Sequence, residues 1–218
     1  MEFRNNTLRA GFPAPWSMGD TPWQGPDELS ATVLSSAADR RLVTHLRQQA
    51  DVQTEYEVDP GMAALEDVKD DLGVVLAIMR GAEPIGTIRF IPAGHGVTLT
   101  ERFWSHASAG TVLVGADSWE VGRLIMAPEH RNAELLPRCM TLAFLELLQN
   151  AEVQHLHASC HMRMTRLFRR FGFKIHTTCT TGTGKDCALI HGEVNAVAAA
   201  LKVASPGMVP AQRQMLHA

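Results

Sequence analysis

The sequence predicts a mixed α/β fold with one central β-sheet, and three stretches carry that reading. "LGVVLAIMRGAEPIGTIRFIP", residues 72–92, reads as a hairpin: an apolar strand over residues 72–79, a turn over 80–84 and a return strand over 85–91, ended by Pro92. "SWEVGRLIM", residues 118–126, is a further strand, and Ala127-Pro128 breaks the sheet behind it. Beyond it strand and helix patterns alternate, which requires a parallel crossover. The hairpin is antiparallel, so the sheet is mixed.

Residues 1–26 contain "GFPAPWSMGDTPWQGP", whose Pro, Gly and Trp content predicts an irregular arm. The domain follows over residues 27–203. Its first stretch, residues 27–50, offers Asp27 or Ser30 as N-cap and apolar positions at Leu29, Val33, Leu34, Leu42, Val43 and Leu46, the spacing of one or two helices. "LEDVKDD" read alone is a solvated, charged turn, and "SHASAGT" after the hairpin is a loop. In "LLPRCMTLAFLELLQN", Leu136, Met140, Ala143, Phe144, Leu147 and Leu148 recur at helical spacing, with Pro137 in the first turn and Asn150 at the stop. "VQHLHASC" is a short strand. "HMRMTRLFRRFGFK" is a helix with Met164, Leu167, Phe168 and Phe171 on one face, closed by Gly172. "TGTGKD", residues 181–186, lacks the first Gly of a phosphate loop and reads as a turn before the strand "CALIHG". The helix "EVNAVAAALKVA" and a flexible tail over residues 204–218 complete the chain.

With 218 residues and 45% of them hydrophobic, the chain can bury one full core. A formal charge of -3 calls for no polyanionic partner such as nucleic acid. Four cysteines without a C-x-x-C pair, and a start "MEFRNNTLRAGF" without an apolar core, predict a reduced, cytoplasmic protein. No apolar run reaches the ~18–20 residues of a membrane span. "HLHASCH" places His155 and His157 on one strand face, but it does not define four convergent ligands, so no metal is expected.

The order helix, hairpin, strand, helix, strand and helix ending in "FGF" resembles the GNAT acyltransferase superfamily over about residues 40–190, most locally in "LFRRFGFK" and "EPIGTIRFIP". The fold this implies is three-layered, with helices on both faces of the mixed sheet. The finer pattern resembles the branch fed by acyl carrier protein, the autoinducer (acyl-homoserine-lactone) synthases and N-acyl amino acid synthases. That branch places an acidic pair before the first hairpin strand, an Arg after a Gly in the second, and E-x-x-R on the next strand. The matching positions are Asp67 and Asp70, Arg89 in "GTIRF", and Glu120 and Arg123 in "WEVGR".

The resemblance implies an N-acyltransferase that moves a long acyl group to the amine of an amino-acid-like acceptor. No tightly bound cofactor is implied, only an acyl-pantetheine thioester as co-substrate, on acyl carrier protein or coenzyme A. Donor contacts are expected at Leu124, Met126, Arg131 and Phe168, the last standing where many of these enzymes have the tyrosine that protonates the leaving thiolate. Acetyl-coenzyme A enzymes carry a glycine-rich turn at a helix N-terminus for the pyrophosphate. Here "RNAELL" follows instead, which favours the carrier protein. "LRQQADVQTEYEVD" lacks the Trp of homoserine-lactone synthases, which favours an ordinary amino acid or an acceptor not yet characterised for this branch. An acetyl-coenzyme A N-acetyltransferase, a homoserine-lactone synthase and a non-catalytic binding module are the alternatives.

On these expectations Glu120 is the general base, acting directly or through one water. Three residues is an odd step, so in a straight strand Glu120 and Arg123 would face apart. A bulge at Gly122 would bring them to one side and free a backbone N–H for the thioester oxygen. Arg89 would clasp a substrate carboxylate, and Asp67 and Asp70 the amine. A structural ion pair is the plain alternative for Glu120 and Arg123. Trp104, with Trp16, Trp23 and Phe103, would line the acyl tunnel, ordinary packing being the alternative. Arg163, Arg166, Arg169, Arg170 and Lys174 make one helix basic, and it is the expected docking face for the acidic carrier protein unless it is only a solvated face.

Overall fold

Alternation along the hairpin explains why the sheet carries helices on both faces. In the computed structural model, which describes residues 28–49 and 60–203, Leu76, Ile78, Ile88 and Phe90 enter one core, and Val75 and Ala77 enter a second on the opposite face. Period-two burial requires this of any strand covered on both sides.

The elements run β1 (Leu29–Val33), α1 (Ala37–Arg40), α2 (Thr44–Gln48), α3 (Glu66–Leu72), β2 (Val74–Arg80), β3 (Glu83–Pro92), α4 (Leu99–Arg102), α5 (Ser105–Ser108) and β4 (Ser118–Met126). Then follow α6 (Leu135–Asn150), β5 (His155–His161), α7 (Thr165–Arg169), β6 (Lys174–Thr180), β7 (Asp186–Glu193) and α8 (Val194–Ala200). The seven strands are ordered β1-β2-β3-β4-β5-β7-β6, leaving β1 and β6 at the edges. Among the described residues only β4 and β5 are parallel neighbours, joined through α6. The hairpin, the β4 strand and α6 fall where the sequence places them. Gly172 closes the α7 turn at φ +88°, where a Cβ would stand 2.6 Å from the Ala196 carbonyl oxygen, so both conformation and space call for glycine.

The main core lies between the sheet and α6, where Cys139, Met140, Ala143, Phe144 and Leu147 meet Leu76, Phe90, Val121 and Leu156. Each such large side chain contributes about 1.5–3 kcal/mol on burial. The opposite face holds Val43 and Leu46 against Val75, Ala77, Ile125 and Ala127. Among the described residues no helix is long and apolar enough to cross a membrane.

Three expectations change. Residues 29–33 form a strand, not a helix: Leu29, Ala31 and Val33 turn inward while Ser30 and Thr32 are exposed, and β1 pairs antiparallel with β2. The helical cap sits further on, where Ser36 and Asp39 form a reciprocal capping box. "LEDVKDD" is the helix α3, and "SHASAGT" contains α5. The predicted arm and tail, Trp16 and Trp23, lie outside the described residues.

Candidate active site

Helix geometry selects which acids of "LEDVKDD" act together. Glu66 and Asp70 stand four apart, hence on one face of α3. Both reach β3: the Arg89 guanidinium donates to Asp70 at 2.8 Å and to Glu66 at 3.1 and 3.4 Å. Arg47 from α2 donates to the other Asp70 oxygen at 2.5 Å. Arg123 from β4 donates to Glu66 at 2.9 and 3.2 Å, and the buried Lys69 ammonium lies 3.6 Å from it. The result is one ion-pair knot spanning α2, α3, β3 and β4. Burial acts to raise the pKa values of Glu66 and Asp70, but the guanidiniums of Arg89 with Arg123, and of Arg47 with Arg89, outweigh it and hold both carboxyls below their ordinary values. Arg89, 2% exposed, is likewise kept charged against its burial by Glu66 and Asp70.

Two of the expected site residues have a different setting from the one the sequence suggests. Asp67, adjacent in sequence to Glu66 but turned off that face, is exposed and lies outside the knot. Glu66 stands in the knot instead, and its four-residue spacing from Asp70 on a helix is the sequence signal for it. Arg89, expected at a substrate carboxylate, is engaged with two carboxylates of its own protein.

The expected bulge is present, one residue later than drawn. Gly122 faces Arg89 and Ile125 faces Thr87, so β4 fits one more residue than β3 between these pairs. The left-handed residue is Arg123, at φ +52°, while nothing lies within 4 Å of a Cβ added at Gly122. A non-glycine residue there carries strain of order 1 kcal/mol. The two bonds from Arg123 to Glu66 hold it. The bulge therefore does bring the Arg123 side chain to the face of β4 that carries Glu120.

Glu120 has a different setting. Only 5% exposed, it accepts hydrogen bonds from the amide of Leu99 at 3.1 Å and from the amide and hydroxyl of Thr100, both at 2.8 Å. Leu99 and Thr100 open α4, so Glu120 satisfies N–H groups that the helix cannot satisfy itself. With its proton given to Glu120, the Thr100 hydroxyl accepts from His157 Nδ1 at 2.8 Å. His157 is fully buried, and burial pushes its pKa down to about 3, with Glu101 opposing and His191 adding to the effect. Its imidazole is neutral, so the 3.9 Å approach to Glu120 is no ion pair. Its neighbour on that strand face, His155, hydrogen-bonds His191 at 3.1 Å.

The parallel pairing of β4 with β5 covers only Ser118–Glu120 against His155–His157. β4 continues to Met126, and beside this stretch lies an open cleft of about 820 Å³, within the range of small-molecule sites. Leu124, Ile125, Met126, Leu136, Met164 and Leu167 give it apolar walls; Arg123, Arg131 and Arg170 bring charge. Leu124, Met126 and Arg131, the expected donor contacts, thus line the cleft. Phe168 does not: it is 6% exposed and packs edge-to-face on Phe173, because Met164, Leu167 and Arg170, at three-residue steps, present the cleft-facing side of α7 and its flanks. Trp104 is also core, 1% exposed among Leu113, Cys187 and Leu189, with its indole N–H given to Ser159.

Comparison with known proteins bears on what the cleft serves. No curated protein matches the sequence significantly. The structure is similar to that of FeeM, an N-acyl amino acid synthase from uncultured soil microbes, with a TM-score of 0.62 at 15% identity, covering 79% of this chain and 93% of that one. It is similar to BjaI, a CoA-dependent acyl-homoserine lactone synthase, with a TM-score of 0.57 at 16% identity over 81% and 90% of the two chains. The synthase LasI gives a TM-score of 0.50 at 14% identity over 80% and 95%. These likenesses carry the GNAT-like fold. The family model of the N-acyl amino acid synthase FeeM matches residues 43–191, more than half of the chain; the protein belongs to that family and is an acyltransferase of the N-acyl-transferring kind.

Proposed function

We propose that the chain joins a long acyl group, delivered as a pantetheine thioester on acyl carrier protein, to the amine of an amino acid. The observation that carries this is the juxtaposition at Arg123: one residue lines the apolar cleft and also holds Glu66 of the ion-pair knot. A thioester lying along Leu124–Met126 brings its carbonyl to the β4 bulge. An acceptor ammonium meets Glu66, which is 23% exposed and kept ionised by its guanidiniums. Once the ammonium has given one proton to a base, amide formation forms the carbon–nitrogen bond, breaks the carbon–sulfur bond and passes the second amine proton to the leaving thiolate, which departs as the pantetheine thiol. Glu120, engaged with three donors, serves as base in this reading only through an intervening water. The exposed Arg163, Arg166, Arg169 and Arg170 flank the cleft and supply the face for an acidic carrier.

Mass spectrometry of lipid extracts from cells overproducing the chain tests this. An N-acyl amino acid is expected with the wild type and not with a Glu66→Gln variant shown to be folded by its melting curve. Extracts containing no acylated amine, or equal product from both proteins, would remove the reading.

A further inference from the structure

An α-helix leaves its first four N–H groups without helical partners, and those groups make its N-terminus a diphosphate site. Helix α6 begins beside the cleft, in a turn whose Arg131, Asn132 and Ala133 line it. Its four groups belong to Glu134, Leu135, Leu136 and residue 137. The Asn132 side-chain oxygen accepts from Glu134 at 3.1 Å and from Leu135 at 2.7 Å. The Asn132 carbonyl accepts a longer bond, 3.4 Å, from Leu136. Pro137 has no N–H to give. Two residues thus account for all four, and the exposed Glu134 carboxylate adds negative charge at the same end.

We propose that Asn132 and Pro137 deny α6 to a diphosphate and so remove the advantage that a coenzyme A donor would otherwise draw from this helix end. The cleft then meets the single phosphate of a 4′-phosphopantetheine thioester through the Arg131 and Arg170 guanidiniums and gains nothing from the nucleotide diphosphate of a coenzyme A thioester. This rests on the reading of the cleft as the thioester site. The fold does not decide the matter by itself, since BjaI, of similar structure, is CoA-dependent.

The test is calorimetric titration of the purified full chain, without acceptor, using S-dodecyl-4′-phosphopantetheine and S-dodecyl-coenzyme A, thioethers that cannot be hydrolysed. The wild type binds the two within about twofold of each other, because the nucleotide diphosphate finds no donors. Asn132→Gly with Pro137→Ala tightens the coenzyme A compound about tenfold, the scale of regained hydrogen bonds to a charged group, and leaves the other unchanged. Pro137→Ala alone adds an N–H while keeping the carbonyl that accepts from Thr141, so it gives part of the gain even where loss of the Asn132 cap disturbs folding. Asn132→Asp keeps the blocking oxygen and matches the wild type. A wild type that binds the coenzyme A compound tenfold tighter, or variants that leave the ratio unmoved, would overturn this inference alone. Failure of both compounds to bind any of the proteins would remove the thioester reading of the cleft as well.

Discussion

Glu66 and Glu120 face the same side of the sheet, yet Glu66 meets side-chain cations whereas Glu120 meets two amides and a hydroxyl. The difference follows from where each partner is anchored. Arginines on β3, β4 and α2 converge on one face of α3, and their charges keep Glu66 and Asp70 ionised despite burial. Around Glu120 the donors are the opening groups of α4, so this carboxylate also fixes a loop. The comparison teaches that a carboxylate beside an active strand can be poised for a substrate or be part of the frame. Its hydrogen-bond partners, more than its position in a motif, separate the two.

The largest effect should come from cutting the knot. Asp70→Ala leaves the Arg47 and Arg89 charges without their shared partner, and a stability loss of about 3–5 kcal/mol is expected in urea unfolding. A loss below about 1 kcal/mol would show that the knot is effectively solvated. Glu120→Gln comes next, at about 2–3 kcal/mol, since an amide NH2 cannot accept from the donors that meet a carboxylate. Thr100→Val should cost less, about 1–2 kcal/mol, with His157 left facing a methyl group. If Glu120→Gln melts like the wild type while turnover is lost, Glu120 is a chemical group and the frame reading fails.

Acid separates the regions in another way. Glu66 and Asp70 have lowered folded-state pKa values, so their contribution is full above the unfolded carboxylate range near ~4 and is lost as pH falls through the folded values. His157 acts over a different window. Its pKa falls from 6.5 to about 3 on folding, so the unfolded chain binds the extra proton and stability declines as pH drops from 6.5 toward 3. The slope for that one proton approaches about 1.4 kcal/mol per pH unit. His157→Asn retains an N–H donor toward Thr100 and should flatten the profile between pH 6.5 and the carboxylate range. An unchanged profile would show that the imidazole does not titrate on unfolding as described.

The smallest stability change is expected at Arg123→Gly. Relief of the left-handed backbone, about 1 kcal/mol, offsets the lost bonds to Glu66, so unfolding should shift by no more than about 1 kcal/mol while acyl transfer falls steeply. Equal activity in the two proteins would detach the Arg123 side chain from the reaction.

Much of this frame is legible in the sequence, and the exceptions have physical causes. The hairpin and α6 are long and strongly periodic. Leu29 and Val33 stand four residues apart, a step that fits one helix face and one strand face equally well; only Ala31 between them and the β-branched Thr32 and Val33 favour the strand. Arg123 and Glu120 are recoverable because an odd step between two polar residues in an apolar run demands a bulge. Motif spacing alone points to Asp67, whereas the four-residue step joining Glu66 to Asp70 carries meaning only on a helix. The four-way convergence on Asp70 and Glu66, the Glu120–Thr100–His157 chain and the packing of Trp104 join residues from 19 to 57 positions apart, and no local pattern encodes them.

The outer strand β6 bears on how the molecule behaves in company. A free sheet edge invites another chain to extend the ladder, which is the first step toward aggregation. Here that edge begins at the exposed Lys174, continues through His176, Thr177, Thr178 and Thr180, and carries a register shift between Ile175 and Thr177. Charge, polarity and an interrupted hydrogen-bond spacing make it a poor template. That border is therefore ill suited to adding the strand of another copy.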